Sequence, residues 1–314
     1  MAVWMDVVGL VAGLGVLIYS SEKAVGYLVK LGAHYGASMF TIGFLVASIG
    51  SDLPEIVNSF FSAYLGHGDI SLGDSVGSVL TQITLILGIL PFICRFCRLI
   101  PRTFAIAGLV QISVLGLAIA LARDGMVSRL DGLILVAAWG ASMVVLRRFG
   151  GKGLAAEECE GVVCDESPRK LLTYTLLGFA GIAVGSYAVI QSVITLSSAF
   201  GVSEFAVSFF MVALGTSLPE LMVEIAAIRG RHYELALGDI IGSCIVDSTL
   251  AIGLGPIFFP ITVSGWNVVV TGLYALMASV VVVSVLTWRG VNDRRSGGLF
   301  ILLYFGSYLI TFFL

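Results

Sequence analysis

Gly50-Ser51-Asp52-Leu53-Pro54-Glu55 sets two carboxylates and a proline inside a run, Phe40 to Leu65, that is otherwise almost wholly apolar or small. A carboxylate in hydrocarbon costs about 2.5–3.5 kcal/mol on insertion scales, so one placed there marks an ion path. The motif returns 165 positions later as Gly215-Thr216-Ser217-Leu218-Pro219-Glu220, again within an apolar run.

Composition explains the setting. Of 314 residues, 58% are hydrophobic and 12% charged, against about 25% charged in a soluble domain. Lipid is therefore the expected solvent, with a mean hydropathy of +1.03. Runs of about 20 apolar residues suit spanning helices and predict ten: 3–20, 36–65, 70–90, 103–122, 128–147, 170–192, 203–229, 234–257, 264–287 and 297–314. The first run has no basic residue before it and Lys23 and Lys30 after it, so it reads as a retained span rather than a cleaved leader.

The long polar connection, residues 148–169, divides the spans five and five. At the constant offset of 165, Gly50, Leu53, Pro54, Glu55, Gly73, Asp74, Gly77, Ser78, Thr84, Gly88 and Pro91 meet identical residues in the second half. Pro-Glu and Gly-Asp in one register do not recur by chance. The fold class expected is an all-α polytopic membrane protein of ten transmembrane helices in two five-helix repeats: 1–147, the cytoplasmic linker 148–169, and 170–314. An odd number of spans per repeat inverts the second copy, the plan of secondary transporters with a midplane site. With ten spans, every Lys and Arg except Arg123 and Arg129 falls on one side. The positive-inside rule makes that side cytoplasmic and puts both termini outside, the cell membrane being the expected location.

Proline inside a helix lacks an N–H and clashes with the carbonyl four residues back. Pro54 and Pro219 should thus free carbonyls near Gly50 and Gly215, glycines that let the backbone open. Around them stand the hydroxyls of Ser51, Thr216 and Ser217 and the carboxylates of Asp52, Glu55 and Glu220. In the next span of each half, Ser78 and Gln82, like Ser243 and Asp247, are four apart and share a helix face. Gly77 and Gly242 allow close helix approach. This all-oxygen, partly anionic set suits a hard cation such as Ca²⁺, which takes six to eight oxygens at about 2.3–2.6 Å. With no His or Cys in the set, Zn²⁺ and Cu⁺ are poor fits. Asp74 and Asp239 fall near span starts, where capping or anchoring a helix end is the simpler reading.

At these residues the chain resembles the cation/calcium antiporter superfamily, most nearly its sodium/calcium exchanger branch. Gly-(Thr/Ser)-x-Leu-Pro-Glu appears twice, each time followed by Gly-x-x-x-Gly-Ser and a polar residue four places on. The resemblance implies that Glu55 and Glu220 bind Ca²⁺ and Na⁺ competitively. It implies that Ser51, Ser78, Thr216, Ser217 and Ser243 supply hydroxyl ligands, with Asp247 as the second-half aspartate. It also implies that roughly 3–30 and 170–200 slide against the rest; glycines 9, 13, 15, 178, 181 and 185 permit that packing. Two departures stand out: Asp52 where exchangers carry serine, and Gln82 where they carry asparagine or aspartate. Asp52 brings the acids near one site to four, with Glu55, Glu220 and Asp247. Like charges so close cannot all ionise cheaply, so protons are expected as counter-ion beside or in place of Na⁺.

Glu224, one turn past Glu220, reads as either a vestibule acid or a water-exposed one, and Asn58 reads similarly on the other side. Cys94, Cys97, Cys159 and Cys164 all lie on the predicted cytoplasmic side, but a short connection with basic and apolar neighbours suits a zinc site poorly. The acids of residues 157–166 read as a solvated linker before a Ca²⁺ sensor. The expected function is a secondary antiporter moving Ca²⁺ against Na⁺ or H⁺, not an enzyme. It calls for no cofactor, nucleic acid or obligate protein partner, only the lipid bilayer and the transported cations. An intramembrane aspartyl protease built on Asp74 and Asp239 would leave both glutamates unexplained. A channel would need a continuous pore, whereas broken helices favour an occluded site.

Overall fold

The computed structural model describes residues 2–34, 52–94, 96–149, 167–229 and 233–312. Helices account for nearly all of them: α1 (Ala2–His34), α2 (Leu53–Leu65), α3 (Gly68–Cys94), α4 (Pro101–Ala122), α5 (Arg129–Phe149), α6 (Pro168–Phe200), α7 (Glu204–Arg229), α8 (Tyr233–Val246, continuing to Phe258), α9 (Gly265–Arg289) and α10 (Arg294–Phe312). Among the described residues, eight are long and apolar enough to cross a membrane: α1 and α3 to α9. Their outer faces carry exposed Trp4, Val8, Leu176, Leu177, Val184 and Leu273, as lipid contact requires. The chain is an integral membrane protein. Of the expected span 36–65 only the part from residue 52 is described, and residues 150–166 of the expected linker lie outside the described residues.

The first span is longer than its apolar run. Ser20, Ser21, Glu22 and Lys23 mark a polar end in the sequence, yet α1 continues through them for 33 residues in all, about 50 Å at 1.5 Å per residue. Glu and Lys are good helix formers, and Lys23 folds back over the Tyr19 ring, 5.5 Å from its centroid. The partner helix α6 is also 33 residues long, and among the described residues α1 against α6 is the most extensive pairing. Small residues let the two backbones close. A Cβ on Gly185 would stand 2.7 Å from the Leu17 nitrogen, and Gly178 and Gly181 meet Ala24 and Ser20. Gly9 and Gly13 face α6 from the other side, whereas Gly15 meets nothing within 4 Å.

The two halves interlock at matching positions. Strand β1 (Phe96–Arg98) pairs antiparallel with β4 (Val291–Asp293), and β2 (Met126–Val127) with β3 (Ile261–Thr262). Adding the repeat spacing to β1 and β2 gives β3 and β4, so each ladder is the counterpart of the other. Two glycine contacts obey the same rule: Gly88 packs on Gly297, and Gly253 on Gly132. The main apolar core fills the space between α3, α4, α8 and α9, with Leu80, Ile83, Leu115, Ile240, Ile245 and Val282 fully buried. Against it, Gly77 lets α3 approach the Phe209 main chain of α7.

Helix ends and kinks have specific supports. Ser128 and Asp131 form a reciprocal cap at the start of α5. Asp293 accepts the N–H groups of Arg295 and Ser296 at the start of α10 and pairs with both guanidinium nitrogens of Arg289. That guanidinium holds the Asp293 carboxyl well below the usual carboxylate range. Pro91 lies inside the last segment of α3 and withdraws the N–H that would satisfy the Leu87 carbonyl. Asn292, fully buried, supplies the replacement: its Nδ2 donates to Leu87 O at 2.8 Å.

Asn292→Ala should therefore lower stability by about 1–3 kcal/mol, the cost of an unsatisfied buried carbonyl. A heated-detergent size-exclusion series measures it. In a Pro91→Ala background, which restores the missing N–H, the same substitution should cost little.

Candidate functional site

The broken helices come first. In α7 the helix ends at Thr216, Ser217 steps out of helical geometry with φ −79 and ψ 6, and helix resumes at Leu218. Asp52, 165 positions earlier, precedes α2 with φ −83 and ψ 7. Both values fall in the sparsely populated bridge region where many functional residues sit. Neither proline interrupts a continuous helix: Pro54 and Pro219 occupy the first turn of the restarting segment, where a missing N–H costs nothing. In α7 the break sits just ahead of Pro219. Gly215 faces α1, a Cβ there standing 2.5 Å from Leu14 Cδ1, so it gives clearance to a neighbouring helix rather than opening the backbone.

The next helix of each half is wound wider at the matching point. Thr81–Ile86 in α3 and Asp247–Ala251 in α8 are π-helical, as is Ser208–Val212 in α7. Such bulges recur at functional sites. Here they carry Gln82 and Asp247, equivalent residues that meet across the halves: Gln82 Nε2 donates to Asp247 Oδ2 at 3.3 Å. The Cys244 thiol donates to Gln82 Oε1 at 3.4 Å. This interhelical bond is where the structure places Gln82.

Of the ten residues expected at the site, nine are almost entirely shielded: Asp52, Glu55, Ser78, Gln82, Thr216, Ser217, Glu220, Ser243 and Asp247. Ser51 lies outside the described residues. Glu220 lies near Glu55 and Asp52, Asp247 lies near Asp52 and Glu55, and Asp52 lies near Ser243. Among the described residues, both carboxylate oxygens of Asp52, Glu55 and Glu220, Asp247 Oδ1, and the hydroxyls of Ser78, Ser217 and Ser243 have no hydrogen-bond partner. Each such buried atom costs about 1–3 kcal/mol, more when charged. Their concentration at one place fits a cation. Among the described residues no three acid, Cys or His side chains close on a common point, so hydroxyl, amide and main-chain oxygens are needed to complete a shell.

Other acids belong to this cluster that sequence reading placed elsewhere. Asp74 caps no helix end: α3 begins at Gly68, and Asp74 is fully buried on its inner face. Asp239 likewise lies well inside α8, beyond its start at Tyr233. Asn58 Nδ2 donates to Asp74 Oδ2 at 2.6 Å, and Thr216 Oγ1 to Asp74 Oδ1 at 3.1 Å. Glu224 is fully buried with both oxygens unpartnered, close enough to Asp239 and Asp52 to sense their charge; it is not a water-exposed acid. The signal for Asp74 and Asp239 was the Gly-Asp repeated at the offset, which a capping role did not need. Of the cysteines, Cys94 donates to the Leu90 carbonyl, the side chain of Cys97 is not described, and Cys159 and Cys164 lie outside the described residues.

The family model for sodium/calcium exchanger proteins matches residues 5–147 and again 170–313. An uncharacterized membrane protein of Methanocaldococcus jannaschii is 29% identical, over 95% of this chain and 94% of its own length. The sodium/calcium exchanger MaX1 of Methanosarcina acetivorans is 23% identical over 97% of both chains. A solved structure of the sodium-calcium exchanger NCX_Mj, soaked with Na⁺ and Sr²⁺, superposes with a TM-score of 0.62 at 27% identity, covering 98% of this chain and 99% of that one. With paired Leu-Pro-Glu breaks meeting in a buried oxygen cluster and a family match over both halves, the chain belongs to the sodium/calcium exchanger family of membrane cation antiporters.

Proposed function

We propose that this exchanger moves Ca²⁺ against Na⁺ by alternating access, binding both at one site between Glu55 and Glu220. The observation that carries it is the set of buried carboxylate oxygens without protein partners, drawn from both halves of the chain. Glu55 and Glu220 supply the charge, Asp247 adds its free Oδ1, and Ser51, Ser78, Thr216, Ser217 and Ser243 supply hydroxyl oxygens. One Ca²⁺ or more than one Na⁺ can neutralise the same acids, which is the physical basis of competition.

In this reading ten spans form two inverted repeats, 1–147 and 170–314, joined by a cytoplasmic linker at 148–169, with both termini outside the cell membrane. The paired β ladders, the reciprocal glycine contacts and the equal backbone angles at Asp52 and Ser217 support it, as does the separate match of each half to the family model. The substrates are inorganic cations and the surroundings are lipid.

Asp52 favours a second reading, H⁺ as a further counter-ion. It stands where a hydroxyl would coordinate Na⁺, buried, with neither oxygen bonded, among acids that cannot all ionise together.

Glu55→Gln and Glu220→Gln should each cut Na⁺-driven ⁴⁵Ca²⁺ uptake into liposomes by about 100-fold or more, the scale of breaking a buried ion contact. Their thermal midpoints in ion-free detergent should hold or rise, because an unpaired buried carboxylate has been removed. For the proton reading, an inside-acid gradient without Na⁺ should drive uptake, and Asp52→Ser should abolish it. Strong Na⁺-driven uptake at clamped pH that Asp52→Ser leaves unchanged, with none from the pH gradient, rules that reading out.

A further inference from the structure

Asp74 has a role that neither capping nor ion binding describes. Both its oxygens are committed, one to Asn58 of α2 and one to Thr216 at the break of α7, at 2.6 and 3.1 Å. All three side chains are fully buried. The Thr216 hydroxyl has one proton and three acceptors in reach: Asp74 Oδ1 at 3.1 Å, Val212 O at 3.2 Å and Ala213 O at 3.4 Å. Asp74 Oδ1 is the nearest of these three and the one that can carry charge, which strengthens an acceptor. Glu55, also beside the hydroxyl, has neither oxygen within hydrogen-bond geometry of it, so the hydroxyl donates to Asp74. The hydroxyl oxygen then has only lone pairs to offer, and Glu55 lies beside it.

From this geometry we infer that Asp74 is a positioning residue, which orients the Thr216 hydroxyl as an acceptor for the cation held between Glu55 and Glu220. The surroundings make it a rigid mount. Ser59 and Ser71 hydrogen bond between α2 and α3 one turn away, and Ser208 Oγ donates to the Ile70 carbonyl at 2.8 Å, tying α3 to α7. Asp74 thereby links the first half, α2 and α3, to the broken helix of the second. The second half has no matching amide: Val223 stands at the position equivalent to Asn58, and Asp239 Oδ2 is unpartnered. The device belongs to one side of the site only.

The inference rests on the exchanger reading, and a double-mutant cycle with ⁴⁵Ca²⁺ separates the two. Wild-type protein in liposomes must first show Na⁺-driven uptake; without it the exchanger reading fails, whatever Asp74 does. Given uptake, Asp74→Ala should raise the Ca²⁺ concentration for half-maximal uptake about tenfold, the scale of one charge-assisted hydrogen bond. In a Thr216→Val background, the same change should have almost no further effect on half-saturation. Asp74→Asn, which keeps acceptor and donor once the Asn58 amide turns over, should stay within about threefold of wild type on the same scale. Additive effects of Asp74→Ala and Thr216→Val, or loss of binding in Asp74→Asn as severe as in Asp74→Ala, would overturn it. Should Asp74→Ala not fold, the exchanged pair Asn58→Asp with Asp74→Asn decides. Near-wild-type half-saturation supports the hydrogen-bond role, and a tenfold loss shows that charge at position 74 itself is required.

Discussion

Carboxylates taken out of water must be neutralised by something, and the described residues of this bundle do not do it. Among the described residues, Glu55, Glu220 and Asp52 have no hydrogen-bonding partner for either oxygen, although stability alone would favour pairing or replacing them. The rest of the architecture follows from keeping that arrangement intact. Helices must break so that acids of two half-helices meet, the breaks must be shielded from lipid, and the neighbouring helices must supply oxygens at the same depth. The π segments at Thr81–Ile86 and Asp247–Ala251 bring the last group inward by winding the helix wider.

Much of this was legible because local chemistry carried it. Apolar runs located the helices, and the offset of 165 located the acids, since Pro-Glu repeated in register has no bland explanation. What stayed hidden depended on contacts distant in sequence. Nothing near Pro91 shows that its freed carbonyl is met by Asn292, a residue 205 positions from Leu87. Asp74 was misread for the same reason: beside a span start it resembles a cap, and only packing brings Asn58 and Thr216 to it. The end of α1 was misplaced because hydropathy falls at Ser20 while helix propensity does not.

The two halves match in backbone more closely than in chemistry. Asp52 and Ser217 share nearly the same φ and ψ, yet one carries a carboxyl group and the other a hydroxyl. Gln82 and Asp247 are equivalent in place and complementary in kind, an amide donor against a carboxylate. Asp74 is bound by Asn58 and Thr216, whereas Asp239 keeps an open oxygen beside Glu224. A duplicated scaffold can thus hold an ion unequally from its two sides, with one half stiffened around the ligand and the other left acidic.

The short β ladders carry a mechanical consequence. Each one staples a strand of the first half to a strand of the second, at connections belonging to α3, α4, α5, α8, α9 and α10. Swinging those helices apart as two blocks would tear backbone hydrogen bonds at both staples. The pair α1 and α6 contributes no strand to either staple and meets its own partner along small-residue surfaces. Like α2 and α7, that pair could be displaced with both ladders still closed, because no strand of either ladder adjoins it.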